Sequence, residues 1–130
     1  MQYIERELAP DTKIPIRIGF IKPNGAPSII SLWYIDINGK IYCATQKTAK
    51  ILHYLENKPT CGFEIAADQP PYKGSRGEGI VKIIPDKGPE ILKILIKKYL
   101  GDKESILSKF LLSHSKNEIA IEITPKKIFH

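Results

Sequence analysis

With 130 residues, of which 42% are hydrophobic and 26% charged, the chain is long enough for one core and too apolar for a disordered segment. A net charge of +6 admits an anionic partner: nucleic acid, a membrane surface or a phosphorylated small molecule. The two cysteines, Cys43 and Cys61, show neither CxxC spacing nor an ordered Cys/His set, which argues against structural zinc and for two buried free thiols.

The chain opens with a short helix expected over residues 2–8, closed by Pro10. Period-two alternation in residues 14–21 (IPIRIGFI) predicts a strand. Pro23, Asn24 and Gly25 predict a turn, since glycine takes positive φ at little cost. A second strand is expected over residues 28–36 and a third over 40–45, joined by the two-residue hairpin signal Asn38-Gly39. Ile51, Leu52 and Leu55 then recur at helical spacing from a start near Thr48, and Asn57 and Pro59 stop the helix. Residues 60–66 predict a fourth strand, 68–75 a loop and 76–84 a fifth strand. Pro89 opens a helix to about Leu100. Asp102 is the expected cap of a further helix, with Ile106, Leu107, Phe110 and Leu111 inside. Residues 119–123 alternate as a last strand, which Pro125 is expected to end.

Strands joined by tight hairpins are antiparallel. The expected architecture is mainly β, a six-stranded antiparallel barrel with flanking helices, in one domain spanning residues 1–130. No segment reaches the roughly 18 apolar residues of a membrane helix. The start of the chain mixes acidic and basic residues where a signal peptide needs an apolar run. A cytoplasmic protein with no membrane partner is expected.

Chemistry concentrates between residues 33 and 59, WYIDINGKIYCATQKTAKILHYLENKP. A strand runs straight into a helix at Thr45, Gln46, Lys47, Thr48, Ala49 and Lys50. A helix N-terminus offers free N–H groups and partial positive charge. Lys47 and Lys50 oppose that dipole, and a bound phosphate would resolve the conflict. The same spacing also fits Thr48 as an ordinary N-cap beside two solvated lysines. His53, His114 and His130 have no spaced carboxylate or cysteine partner and read as structural or surface residues, so no metal is expected. GxSxG, Walker and HExxH motifs are absent. No aromatic-and-basic strand pair resembles a base-stacking platform, so no nucleic acid is expected despite the charge.

An ordered set of features resembles the pyridoxamine 5'-phosphate oxidase-like, FMN-binding split barrels. It comprises Pro27 before Leu32, Trp33 and Tyr34; Asn38-Gly39; Ile41 and Tyr42 leading to Thr45; Thr48 and Lys50; Leu55 before Asn57, Lys58 and Pro59; Cys61 to Glu64; and Tyr72 before Arg76 to Gly79. The resemblance implies a split-barrel homodimer with FMN at the interface, working as an oxidoreductase on a small molecule. A deazaflavin coenzyme in place of FMN, or a non-catalytic flavin carrier, are its alternatives. It places the flavin phosphate at Thr45, Thr48, Ala49 and Lys50, with Ala44 and Lys47 beside them. It lays Ser31, Leu32 and Trp33 along the ring system. Tyr72, Lys73 and Arg76 are implied to come from the second subunit. Many such proteins carry arginine beside the phosphate lysine; here that position is Ala49, and Lys47 supplies a point charge instead.

Overall fold

The computed structural model describes residues 13–129; the helix expected over residues 2–8, and His130, lie outside them. Seven strands form one antiparallel sheet in the order β2-β1-β5-β6-β7-β4-β3. They are β1 (Ile16–Ile21), β2 (Pro27–Leu32), β3 (Ile35–Ile37), β4 (Lys40–Gln46), β5 (Thr60–Ala66), β6 (Gly74–Ile84) and β7 (Glu118–Phe129). Among the described residues three α-helices accompany them: α1 (Lys50–Asn57), α2 (Gly88–Leu100) and α3 (Ile106–Ser113). The sheet curls into a half-barrel. One buried cluster joins Ile16 and Ile18 of β1, Phe63 of β5, Ile121 and Ile123 of β7, and Ile41 and Cys43 of β4. Strands so far apart in the sheet order reach a common core only where the sheet bends round it.

The hairpins follow from local chemistry. Asn38 and Gly39 both take positive φ, 52° and 83°, as a two-residue primed turn requires. Gly39 N–H also donates to Asp36 Oδ1 at 3.0 Å. At the first hairpin Gly25 adopts φ 86°.

The expected strand over residues 28–36 is two strands, so the sheet has seven and not six. At the break the backbone of Tyr34 bonds to α2 instead of to a neighbouring strand. Its N–H donates to Tyr99 Oη at 3.2 Å, and its carbonyl accepts from Lys98 Nζ at 2.8 Å. Lys98 Nζ also stands 3.6 Å from the centre of the Tyr34 ring, a cation–π contact. Helix α2 lies across β4 and β7, burying Ile91, Leu95 and Tyr99 against Tyr42 and Ala120. Each aliphatic side chain buried this way is worth about 1.5–3 kcal/mol.

Three further expectations are corrected. Strand β7 passes through Pro125 to Phe129: β4 pairs with it only as far as Ile123, so Pro125 lies where β7 keeps β6 alone as a ladder neighbour, next to the register shift that leaves Lys126 unpaired. Helix α3 is capped by Ser105 and not Asp102: Ser105 Oγ accepts from Ser108 N–H at 3.0 Å, and Ser108 Oγ accepts from Ser105 N–H at 2.9 Å. Of the apolar residues expected inside α3, Ile106, Leu107 and Phe110 are exposed and Leu111 is half-buried. Cys43 and Cys61 are free and buried. Burial pushes both thiols up, Cys61 to about 11.

Candidate functional site

Side chains alternate across a strand, so Tyr42, Ala44 and Gln46 of β4 share one face. Register sets them opposite Glu122, Ala120 and Glu118 of β7. Near α2 that face is closed by Tyr99 and Leu95. Towards the start of β7 it opens into a cavity of about 630 Å³ between Trp33, Gln46, Leu92, Leu107, Phe110 and Glu118. That volume falls within the range of small-molecule sites.

The cavity has a fixed aromatic wall. Trp33 stacks on Tyr99 with ring centres 4.9 Å apart and planes 7° from parallel. Tyr99 is itself anchored, its hydroxyl donating to the carbonyl of Ile14 at 3.0 Å while accepting from Tyr34 N–H. On the far side α3 supplies Leu107 and Phe110, and Phe110 lies against the His114 ring at 4.8 Å. His114 Nδ1 lies 3.0 Å from the carbonyl of Phe110 and 2.9 Å from Ser113 Oγ.

The polar end of the cavity is Gln46 and Glu118. Gln46 Nε2 donates to Glu118 Oε2, and among the described residues Glu118 makes no other side-chain hydrogen bond. Glu118 is only 6% exposed. Burial pushes its carboxyl up, and the Gln46 hydrogen bond pulls it part of the way back.

Beyond Gln46 the chain turns into α1. Lys47 N–H donates to the Asn117 carbonyl at 2.9 Å. The N-cap of α1 is Ala49, which offers no side-chain acceptor, and the first turn holds no acidic residue. Thr48 is therefore not the cap, and the first N–H groups of α1 have no side-chain partner. A second cavity, about 560 Å³, is lined here by Lys47, Thr48, Ala49 and Lys50 with Tyr54 and Ile119.

The residues singled out from sequence thus divide. Ser31, Leu32, Trp33, Ala44 and Thr45 line the first cavity. Lys47, Thr48, Ala49 and Lys50, which follow Gln46 directly in the chain, line the second. Tyr72, Lys73 and Arg76 line neither. Tyr72 is exposed with φ 54°. Arg76 is engaged within its own chain, with Nε 2.7 Å from Glu64 Oε2 and Nη2 donating to the Tyr72 carbonyl at 3.1 Å. Sequence reasoning missed Gln46 and Glu118 as partners, and Leu107, Phe110 and His114 as a wall. The first pair is made by strand register across 72 positions. The α3 wall carried a visible signal, an apolar stripe, which was assigned to the core. No group of three or more His, Cys, Asp or Glu residues able to hold a metal ion occurs among the described residues. No helix there is long and apolar enough to cross a membrane.

No protein-family model and no curated protein matches the sequence. Solved structures do match. An F420 reductase superposes with a TM-score of 0.78 at 15% identity, over 99% of this chain and 97% of its own. General Stress Protein 26 from Bacillus anthracis gives 0.69 at 18% identity, over 91% of this chain and 84% of its own. A pyridoxamine 5'-phosphate oxidase-related, FMN-binding protein from Nostoc punctiforme gives 0.63 at 10% identity, over 88% of this chain and 71% of its own. The chain therefore shares its fold with pyridoxamine 5'-phosphate oxidase-related, FMN-binding proteins and with an F420 reductase.

Proposed function

We propose that this chain is a flavin-nucleotide-binding domain that works as an oxidoreductase on a small molecule. The observation that carries the reading is the pairing of an apolar cavity walled by Trp33 with the uncapped, lysine-flanked start of α1, both at the end of β4. A flat ring needs the first and a phosphate needs the second, so the residues present fit a flavin nucleotide. Ser31, Leu32, Trp33, Ala44 and Thr45 would line the ring. Thr48, Lys47 and Lys50, with the N–H groups of α1, would receive the phosphate. Ala49 leaves that phosphate without a bidentate guanidinium, so the two lysines act as point charges.

A bound flavin supplies two-electron chemistry; the protein supplies position, electrostatics and exclusion of water. Leu92, Leu107 and Phe110 line the side of the cavity that would cover the ring. FMN is the first cofactor assigned, and the F420 reductase neighbour supports the deazaflavin coenzyme as the second. The reading includes a homodimer. Supporting self-association, the outer face of β1, β2 and β6 exposes Ile21, Ile29 and Ile80, with Ile29 73% exposed.

The test is an absorption spectrum of the purified protein, followed by titration with FMN and with the deazaflavin coenzyme. Trp33, the one tryptophan, reports occupancy by fluorescence. Saturable quenching by either compound supports the reading and selects the cofactor. A colourless protein whose Trp33 emission neither compound alters overturns it.

A further inference from the structure

We propose that Gln46 and Glu118 recognise the edge of a flat ring that carries an N–H group flanked by a carbonyl. This rests on the flavin reading above, and the pyrimidine edge of the flavin is the ring edge assigned. The carboxyl of Glu118 is buried at the end of an apolar cavity and takes one hydrogen bond, from the amide of Gln46. A carboxylate offers about four acceptor positions and an amide one carbonyl and two N–H groups. Glu118 therefore keeps an acceptor for a ligand, and Gln46 keeps both a donor and an acceptor beside it. An imide or lactam edge presents the complementary N–H and C=O. A simple cation would use the carboxylate and the amide carbonyl but leave the free N–H of Gln46 unmatched.

Burial without a cationic partner raises the carboxyl, and a ligand N–H that favours the carboxylate would lower it again. The titratable groups nearest Glu118 along the elements packed on it include His114 at the end of α3, Lys116 in the turn before β7, Lys47 after β4, Asp86, Lys87 and Glu90 around the start of α2, and Glu122 further along β7. Among these only His114 also lines the cavity. Binding is then linked to ionisation. Affinity is full above the raised pKa of Glu118 and falls as pH drops through it.

The experiment titrates the protein with lumiflavin, which lacks the ribityl phosphate, and with 3-methyllumiflavin, whose ring N–H is blocked, following Trp33 fluorescence. The unmodified protein is expected to bind lumiflavin about 10- to 100-fold more tightly, the scale of a hydrogen bond to a charged acceptor. Glu118→Leu should reduce that preference to within about twofold by removing the acceptor. Glu118→Gln should keep part of it and lose its pH dependence. Phthalimide and N-methylphthalimide, titrated into FMN-loaded protein, separate the two sources of such an edge. Discrimination there, with none between the lumiflavins, assigns the pair to a second ligand bound over the cofactor and upholds the edge chemistry. Equal binding of both members of both pairs overturns the inference while leaving the flavin reading standing. Quenching by benzamidinium in place of lumiflavin also overturns it, because charge is then what is recognised. Failure of FMN itself to bind overturns the flavin reading as well.

Discussion

Tyr42 Oη donates to Glu122 Oε2 at 2.8 Å, across a directly opposed pair on β4 and β7 and beneath α2. Both residues are buried, and Lys40 Nζ stands 3.7 Å from the other Glu122 oxygen. Tyr42→Phe leaves a buried carboxylate short of its donor, while Lys40 remains. The expected loss of stability is about 1–3 kcal/mol, read from the midpoint of urea unfolding at unchanged slope.

The same pair sets an alkaline limit. Burial, and then the hydrogen bond and charge of Glu122, push the Tyr42 hydroxyl up to about 12. A folded-state pKa above the unfolded value means that the folded protein holds the proton more tightly. The stabilisation is complete below the ordinary tyrosine value of about 10 and is lost as pH rises through about 12. Unfolding free energy followed between these pH values should fall more steeply for the native protein than for Tyr42→Phe. Parallel curves for the two would remove Tyr42 as the cause.

Gly88 shows how the site depends on close backbone approach. It begins α2 where the helix meets the start of β7, and a Cβ there would fall on the carbonyl oxygen of Glu118. Since the obstacle is backbone, one of the two elements must shift. Gly88→Ala is expected to destabilise by about 1–3 kcal/mol and to displace Glu118 from Gln46. Amide chemical shifts of Gln46 and Glu118 should move together. Native-like shifts at both would show that the junction yields elsewhere.

The order of elements was legible because each one signals locally. Asn38-Gly39 needs positive φ at two successive residues, and residues 14–21 and 60–66 alternate as their buried faces require. What escaped was set by distant partners. Trp33 and Tyr34 have strand-like side chains, yet Tyr99 and Lys98 of α2 take the hydrogen bonds a strand neighbour would have made. Pro125 reads as a stop, and β7 runs on because β4 no longer pairs with it beyond Ile123 while β6 still does. The lysines around Thr48 were visible as a cluster. The division of Ser31, Leu32, Trp33, Ala44 and Thr45 from Lys47 and Lys50 between two cavities was not, because it depends on what α2, α3 and β7 bring to each side.

Helix α3 closes one side of the first cavity but has little buried surface of its own: Ile106 is 92% exposed and Phe110 59%. Its start depends on the reciprocal hydrogen bonds of Ser105 and Ser108. Ser105→Ala should cost the helix about 1 kcal/mol. The loss should appear as local opening, with faster hydrogen exchange confined to residues 106–113 and little change in global unfolding. Uniform acceleration across the sheet would mean that α3 and the half-barrel open together.

Lys50 offers a test that separates the proposed phosphate site from the proposed ring site. It is exposed, opens α1 and lines the second cavity, apart from Trp33 and Glu118. If the phosphate sits at this helix start, FMN should bind more tightly than riboflavin, and Lys50→Ala should reduce that advantage by about 1–3 kcal/mol, the scale of a charged hydrogen bond. Riboflavin affinity should be almost unchanged, since the ring contacts are untouched. Added salt should weaken FMN binding in the native protein more than in the variant, because an exposed charge pair is screened. Equal losses for FMN and riboflavin would instead place Lys50 in the support of the cavity as a whole, and the phosphate would have to be sought elsewhere on the half-barrel.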